Sequence, residues 1–166
     1  MKNLLCTTVL ILLASGLNAL EMDSSRSTLN ITSVKNDRLA ELFAFERVSG
    51  TIDDASGKAS IEMALDSIDS GIEIRDERMR KYLFNTEAFK TASFTADIDL
   101  EVLKSLKPGE QREVELKGEL AMNGHTVPIS FQTQVTRLNG GALGVATVAP
   151  GFIDVTHYKM APGIEK

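Results

Sequence analysis

Apolar and polar residues alternate with period two along most of the chain after residue 26. In 27–34 ("STLNITSV") Leu29 and Ile31 share one side, and in 59–65 Ala59, Ile61, Met63 and Leu65 do. In 93–103 the same side carries Phe94, Ala96, Ile98, Leu100 and Val102. Segments 113–123 (Val114, Leu116, Leu120, Met122) and 126–135 (Val127, Ile129, Phe131, Val135) repeat the pattern on either side of Asn123-Gly124. That dipeptide suits a two-residue hairpin, whose central positions both need positive φ. Two further apolar stretches complete the set: 38–53, with Gly50 as a bend or bulge, and 142–155, broken at Pro150-Gly151. Turn chemistry separates them at 53–58, 106–112 and 139–141. Period two means one buried and one wet face per strand. The pattern therefore predicts an all-β antiparallel chain, closed as a sandwich or a barrel.

One stretch breaks the alternation. Between Glu73 and Phe84, Met79, Tyr82 and Leu83 fall at i, i+3, i+4, the spacing of one helical face. A short helix near 74–84 is expected, packing that stripe against the sheet at one end. Arg75, Arg78, Arg80 and Lys81 would line the rest. Asp76 and Glu77 are adjacent and would point apart on a helix, so a paired-acid role is disfavoured. Arg75 and Asp76 are expected to make local ion pairs that pin it.

The N-terminus has a different character. Lys2 precedes an apolar run, Leu4 to Leu13, and small residues follow up to Leu17-Asn18-Ala19. This is the pattern of a cleavable export signal, and the run is shorter than the roughly 20 apolar residues that span a bilayer. Cleavage near Ala19 would leave about 147 of the 166 residues and a periplasmic protein. The single cysteine, Cys6, would leave with the signal, and with it any thiol chemistry. Without Lys2 the balance is 17 basic against 23 acidic residues, a net charge of −6, which argues against binding a phosphate backbone.

Candidate chemistry is sparse. The two histidines, His125 and His157, stand far apart in sequence, and no G-x-S-x-G elbow occurs. Two distant histidines do not make a zinc site, and the turn acids at 53–54 and 66–71 complete no calcium loop. Asn30-Ile31-Thr32 is a glycosylation sequon with no further support. No cofactor, metal or catalytic residue is expected. What stands out is the apolar interior: Ile31, Phe45, Ile61, Met63, Phe94, Ile98, Leu120, Met122, Ile129 and Phe131. Periodicity alone leaves two readings open, a packed core or a cavity for an apolar ligand.

Three stretches resemble the YceI-like family. The first is "LDSIDSGIEIRDERMRKYLFNTEAFKTASFTADIDL", with its Ser67–Gly71 turn, Arg75-Asp76-Glu77, Leu83-Phe84 and Phe89-Lys90. The others are "FERVSGTID" (45–53) and the hairpin "GELAMNGHTVPISF" (118–131). The resemblance runs from about Ser27 onward and implies an eight-stranded lipocalin-like barrel that binds polyisoprenoid lipids without catalysing a reaction. It turns the interior list into a ligand tunnel, to which Met79, Leu83, Phe84 and Phe89 would add a lid. Arg75 or Arg78 would meet a polar head group. The implied partner is an isoprenoid or other long-chain lipid, with a homodimer as a further option. An enzyme acting on such a lipid and a ligand-free binding module are the alternatives. Two departures stand out. Asn123 occupies a position where the family often has His, and the sequence stops at Lys166, before the final strand that closes the family's barrel.

Overall fold

The computed structural model describes residues 3–15, 19–35 and 39–160. Among the described residues twelve strands form one antiparallel sheet: β1 (Asn3–Ser15), β2 (Ala19–Met22), β3 (Thr28–Lys35), β4 (Leu39–Phe45), β5 (Val48–Asp53), β6 (Lys58–Ala64), β7 (Ile68–Asp69), β8 (Thr91–Asp97), β9 (Gln111–Met122), β10 (His125–Arg137), β11 (Leu143–Thr147) and β12 (Gly151–Asp154). Neighbours follow the order β11-β10-β9-β8-β6-β5-β2-β1-β3-β4-β7, with β12 and β11 also pairing β1, so the sheet curls back on itself. The segments outnumber the eight expected strands because several runs are interrupted. Only Glu46-Arg47 separates β4 from β5, and a 3₁₀ turn at Leu65–Ser67 separates β6 from β7. Pro150 lacks the backbone N–H a ladder needs, and the break between β11 and β12 falls there.

The alternation is realised as burial. Leu29 and Ile31 on β3, Met63 on β6, Phe94 and Ala96 on β8, and Leu120 and Met122 on β9 are all buried. Asn123 (φ 51°) and Gly124 (φ 73°) make the hairpin turn between β9 and β10, which then pair without a break from His125↔Met122 to Thr136↔Gln111. Asp53 closes the turn after β5 by accepting hydrogen bonds from the backbone N–H groups of Ala55 (3.1 Å) and Ser56 (2.6 Å). Gly50 is no bulge. It pairs Ile61 in regular register, and a Cβ there would come within 3.1 Å of the Ser60 carbonyl oxygen.

The expected helix is present and divided. Helix α1 (Glu73–Arg78) runs into a π-helical turn, Met79–Leu83, which ends where Asn85 takes a left-handed conformation (φ 48°). The expected strand over 93–103 is corrected: β8 stops at Asp97 and helix α2 (Leu100–Ser105) follows. The Asp99 carboxylate accepts from the Glu101 N–H at 3.0 Å, an N-cap that turns the chain helical. Leu103 and Leu106 are then buried in a cluster with Met22, Ile52, Val135 and Leu143. A larger cluster, holding Phe45, Leu65, Met79, Phe84, Phe94 and Tyr158, fills the rest of the interior.

The N-terminal run read as an export signal is a strand in this structure, β1, paired on both edges. Leu17, Asn18 and the end of the chain after Met160, where a closing strand is expected to be lacking, lie outside the described residues. No described helix is long and apolar enough to cross a membrane.

Candidate functional site

The concave face of the sheet encloses an apolar cavity of about 120 Å³. Nine described strands line it, Phe45 on β4 and Ile52 on β5 among them. Leu29 and Ile31 come from β3, Ile61 and Met63 from β6, Ala92 and Phe94 from β8, Leu116 and Leu120 from β9, Phe131 from β10, Val145 from β11 and Ile153 from β12. A second cavity of about 60 Å³ shares five wall residues with the first: Ile52, Ile98, Leu116, Thr133 and Val145. It extends toward α2, where Val102 and Leu103 line it. Among the described residues the first cavity has no titratable side chain in its wall; the hydroxyl residues along it are Thr51, Ser60, Thr133 and Thr147. Thr133 donates its hydroxyl to the Val114 carbonyl at 2.7 Å, which leaves the wall without an unsatisfied donor at that point.

Ten of the fifteen residues expected at a ligand site line this cavity: Ile31, Phe45, Ile61, Met63, Phe84, Phe94, Ile98, Leu120, Met122 and Phe131. The structure places the other five elsewhere. Met79 is buried within the large cluster, and Leu83, Phe89 and Ile129 pack against that cluster without reaching the cavity wall. From the expected lid only Phe84 reaches it, held edge-on to Phe45 with ring centroids 5.9 Å apart. The wall also holds residues absent from the sequence expectation, among them Leu29, Ile52, Leu65, Leu116, Val145 and Ile153. Leu29, Leu65 and Leu116 belong to alternating runs, so the signal for them was present.

Arg75 does not reach the cavity. Its guanidinium pairs with the Glu41 carboxylate on β4 and donates to the Ser70 hydroxyl (2.9 Å) and carbonyl (2.8 Å). The same group lies over the Phe43 ring, 5.3 Å from its centroid. Asp76, buried beside it, accepts from the Ser70 N–H at 3.0 Å and from the Ser70 hydroxyl. The expected ion pairs thus take a different form: Arg75 and Asp76 meet at Ser70 and staple the start of α1 to the turn after β7. Arg78, the other head-group candidate, does not line either cavity.

At the other end of the hairpin the Asn123 side chain donates to the Tyr158 carbonyl at 2.8 Å, tying the β9–β10 turn to the 3₁₀ turn Val155–Tyr158. The Tyr158 side chain is buried, and burial pushes its hydroxyl pKa up from the ordinary value of 10.0. His125 opens β10 half-exposed, and His157 is exposed. Among the described residues no group of three or more His, Cys, Asp and Glu side chains is placed to hold a metal ion.

Similar folds occur among solved structures. A polyisoprenoid binding domain from Saccharophagus degradans, implicated in plant cell wall breakdown, superposes with a TM-score of 0.73 at 24% identity, over 96% of this chain and 82% of that one. Burkholderia cenocepacia BcnA gives a TM-score of 0.62 at 20% identity, over 85% and 86% of the two chains. At these identities the likeness speaks for the fold. No curated protein matches the sequence significantly. The YceI-like domain family matches residues 20–165, nearly the whole length of the sheet beyond β1. An antiparallel sheet curled around an apolar cavity, with that match along it, makes the chain a member of the YceI-like domain family.

Proposed function

We propose that this protein binds one long-chain apolar lipid, of the polyisoprenoid or isoprenoid-quinone class, with the tail inside the curled sheet, and that it carries the lipid in the periplasm without chemically altering it. The observation that carries the reading is the cavity wall: among the described residues, apolar side chains from nine strands and no titratable group. Such a wall offers a tail the hydrophobic term alone. At roughly 0.8 kcal/mol per buried CH₂, a single five-carbon isoprene unit contributes on the order of 4 kcal/mol. The absence of a general acid or base in the wall of the first cavity supports binding over catalysis. Export is supported by the N-terminal apolar run and by a family match that begins at residue 20.

The tail runs from the Phe84 end past Phe94 and Phe131 toward α2, because the two cavities share a wall there. In this reading the interrupted segments act in collinear pairs, β2 with β3, β4 with β5, β6 with β7 and β11 with β12, so the domain that follows β1 supplies seven staves. The first cavity is smaller than the roughly 300–1,000 Å³ of typical ligand pockets. A long tail must therefore spread the wall as it enters. Titration with polyprenols of increasing length, read by quenching of a bound apolar dye, tests this. Displacement that strengthens with length over the first few isoprene units supports the reading, and no displacement at any length refutes it.

A further inference from the structure

Among the described residues six large apolar or aromatic side chains stand exposed: Leu42, Ile72, Ile74, Tyr82, Val148 and Phe152. Three of them, Ile72, Ile74 and Tyr82, fall on and beside helix α1 within residues 72–82, with exposures of 49%, 57% and 58%. Leu42 adjoins them. It follows Glu41, the partner of Arg75, and precedes the Ala44↔Asp69 pair from which the chain runs on into α1. A single exposed apolar side chain is ordinary, whereas a gathering of them marks an interaction surface.

The two sides of this helix differ in character. Its inward side carries Asp76 and Met79, both buried, and Leu83, which packs against the large cluster. Its outward side carries Ile74, Arg78, Lys81 and Tyr82 at i, i+4, i+7 and i+8, all exposed. The Lys81 ammonium lies over the Tyr82 ring, 5.3 Å from its centroid. Arg80 is half-exposed beside them. Among the described residues none of Arg78, Arg80 and Lys81 takes part in a salt bridge. The acids Glu73 and Glu77 come earlier, so positive charge gathers at the π-helical turn Met79–Leu83. Arg75 and Asp76 anchor the start of the helix at Ser70, so a fixed element presents the outward side.

Isoleucine and tyrosine interleaved with lysine and arginine suit the interface of a bilayer. Apolar side chains enter the acyl boundary, a phenol sits at head-group depth, and long cationic stems reach back to phosphates. The chain as a whole has a net charge of −5, so an anionic surface repels most of the molecule and attracts this turn. At physiological ionic strength charges more than about 8 Å away are largely screened, so the face in contact decides the sign. The same end of the molecule carries Phe84, two residues beyond Tyr82 and in the wall of the first cavity.

We infer that the outward side of α1 and its π-helical turn, together with Leu42, is a docking surface for an anionic lipid bilayer. Ile72, Ile74 and Tyr82 enter the interface, and Arg78, Arg80 and Lys81 meet lipid phosphates. Docking does not depend on the lipid reading; only the passage of a tail from the bilayer past Phe84 into the cavity rests on it.

The test uses the exported, purified protein and two sets of vesicles, phosphatidylcholine alone and phosphatidylcholine with phosphatidylglycerol, read by co-flotation. The expected result is binding to the anionic vesicles at least about tenfold tighter than to the neutral ones, and weaker at high salt. I74S/Y82S and R78Q/K81Q should each lose at least about tenfold of that affinity, while V148S, in the connection between β11 and β12, binds as the wild type does. All five side chains are exposed, so thermal unfolding should be nearly unchanged in every variant. No binding to anionic vesicles overturns the inference. So does binding that either double variant keeps, and so does an equal loss in V148S. A dimer that I74S/Y82S dissolves, in a protein that ignores vesicles, overturns it as well, since a second copy then covers the face. Uptake of a fluorescent polyprenyl probe from the anionic vesicles is read on the same samples. Docking without probe uptake leaves the surface standing and refutes the lipid reading instead.

Discussion

Phe94 on β8 and Phe131 on β10 meet edge to face, with ring centroids 5.3 Å apart and planes at 82°. Each ring is seated on a glycine. A Cβ on Gly118 would come within 2.6 Å of the Phe94 ring and 2.2 Å of the Thr95 carbonyl oxygen, and one on Gly151 within 2.3 Å of the Phe131 ring. Both rings line the first cavity. The glycines thus set how far the rings withdraw from the interior.

The two glycines predict different outcomes. At Gly118 the obstruction includes backbone, so G118A should destabilise the fold by about 1–3 kcal/mol. At Gly151 only a ring stands in the way, and it has the cavity to move into. G151A should cost less stability and weaken lipid binding more. Chemical denaturation and polyprenol titration of both variants measure the contrast.

Arg75 acts as a staple between β4, Ser70 and helix α1. R75M removes the Glu41 pair and the Ser70 hydrogen bonds and leaves Glu41 half-buried. A loss of about 1–2 kcal/mol is expected, with lipid affinity unchanged. Affinity that falls while stability holds would restore Arg75 to the ligand.

Asn123 does two things that substitution separates. N123G keeps the left-handed backbone at no steric cost and removes only the hydrogen bond to the Tyr158 carbonyl, worth about 1 kcal/mol. N123A also pays the left-handed conformation, roughly 1–2 kcal/mol more. Thermal unfolding of the pair should rank wild type above N123G above N123A.

Acid should loosen the molecule in a defined window. The hydrogen bond and charge of Arg47 hold Asp66 below its ordinary value of 3.8, and the Ser56 N–H does the same for Asp53. Asp66 is exposed and Asp53 half-exposed, both bathed by solvent, so each contribution is small. A folded-state pKa below the unfolded value stabilises above the unfolded pKa and loses that contribution as pH falls through the folded one. Stability should therefore be flat down to about pH 4 and decline below it. In R47M, whose Asp66 titrates near its ordinary value, the acid-side decline should be shallower, as equilibrium denaturation across pH 2–6 would show.

How much of this was legible in the sequence differs from element to element. Leu29, Ile31, Phe94 and Leu120 were readable because one-sided burial writes period two into a strand. The hairpin at Asn123-Gly124 was readable because positive φ selects those residues. Helix α2 was missed because Leu100 and Val102 continue the alternation of β8 by coincidence, while the signal against it was the short Asp99 cap. The partners of Arg75, Glu41 and Ser70, were not readable because they depend on how β4 and the turn after β7 come together, which no local pattern encodes. Thr133 was missed because an apolar filter discards hydroxyls, though its hydroxyl sits beside an apolar space once the Val114 carbonyl satisfies it. Met79, Leu83, Phe89 and Ile129 pack in or against the large cluster and do not reach the wall, since periodicity gives a face and not a depth.

The central claim is that the cavity holds a lipid tail, and the most direct measurement is of what the protein holds when it is made. The protein is exported from its host, purified without detergent, extracted with organic solvent and analysed by mass spectrometry, with a cavity variant, L120D, prepared alongside. The account predicts an isoprenoid species in near-stoichiometric amount from the wild type and little from the variant. A lipid-free extract from well-folded wild-type protein that also takes up no polyprenol added afterwards would contradict it.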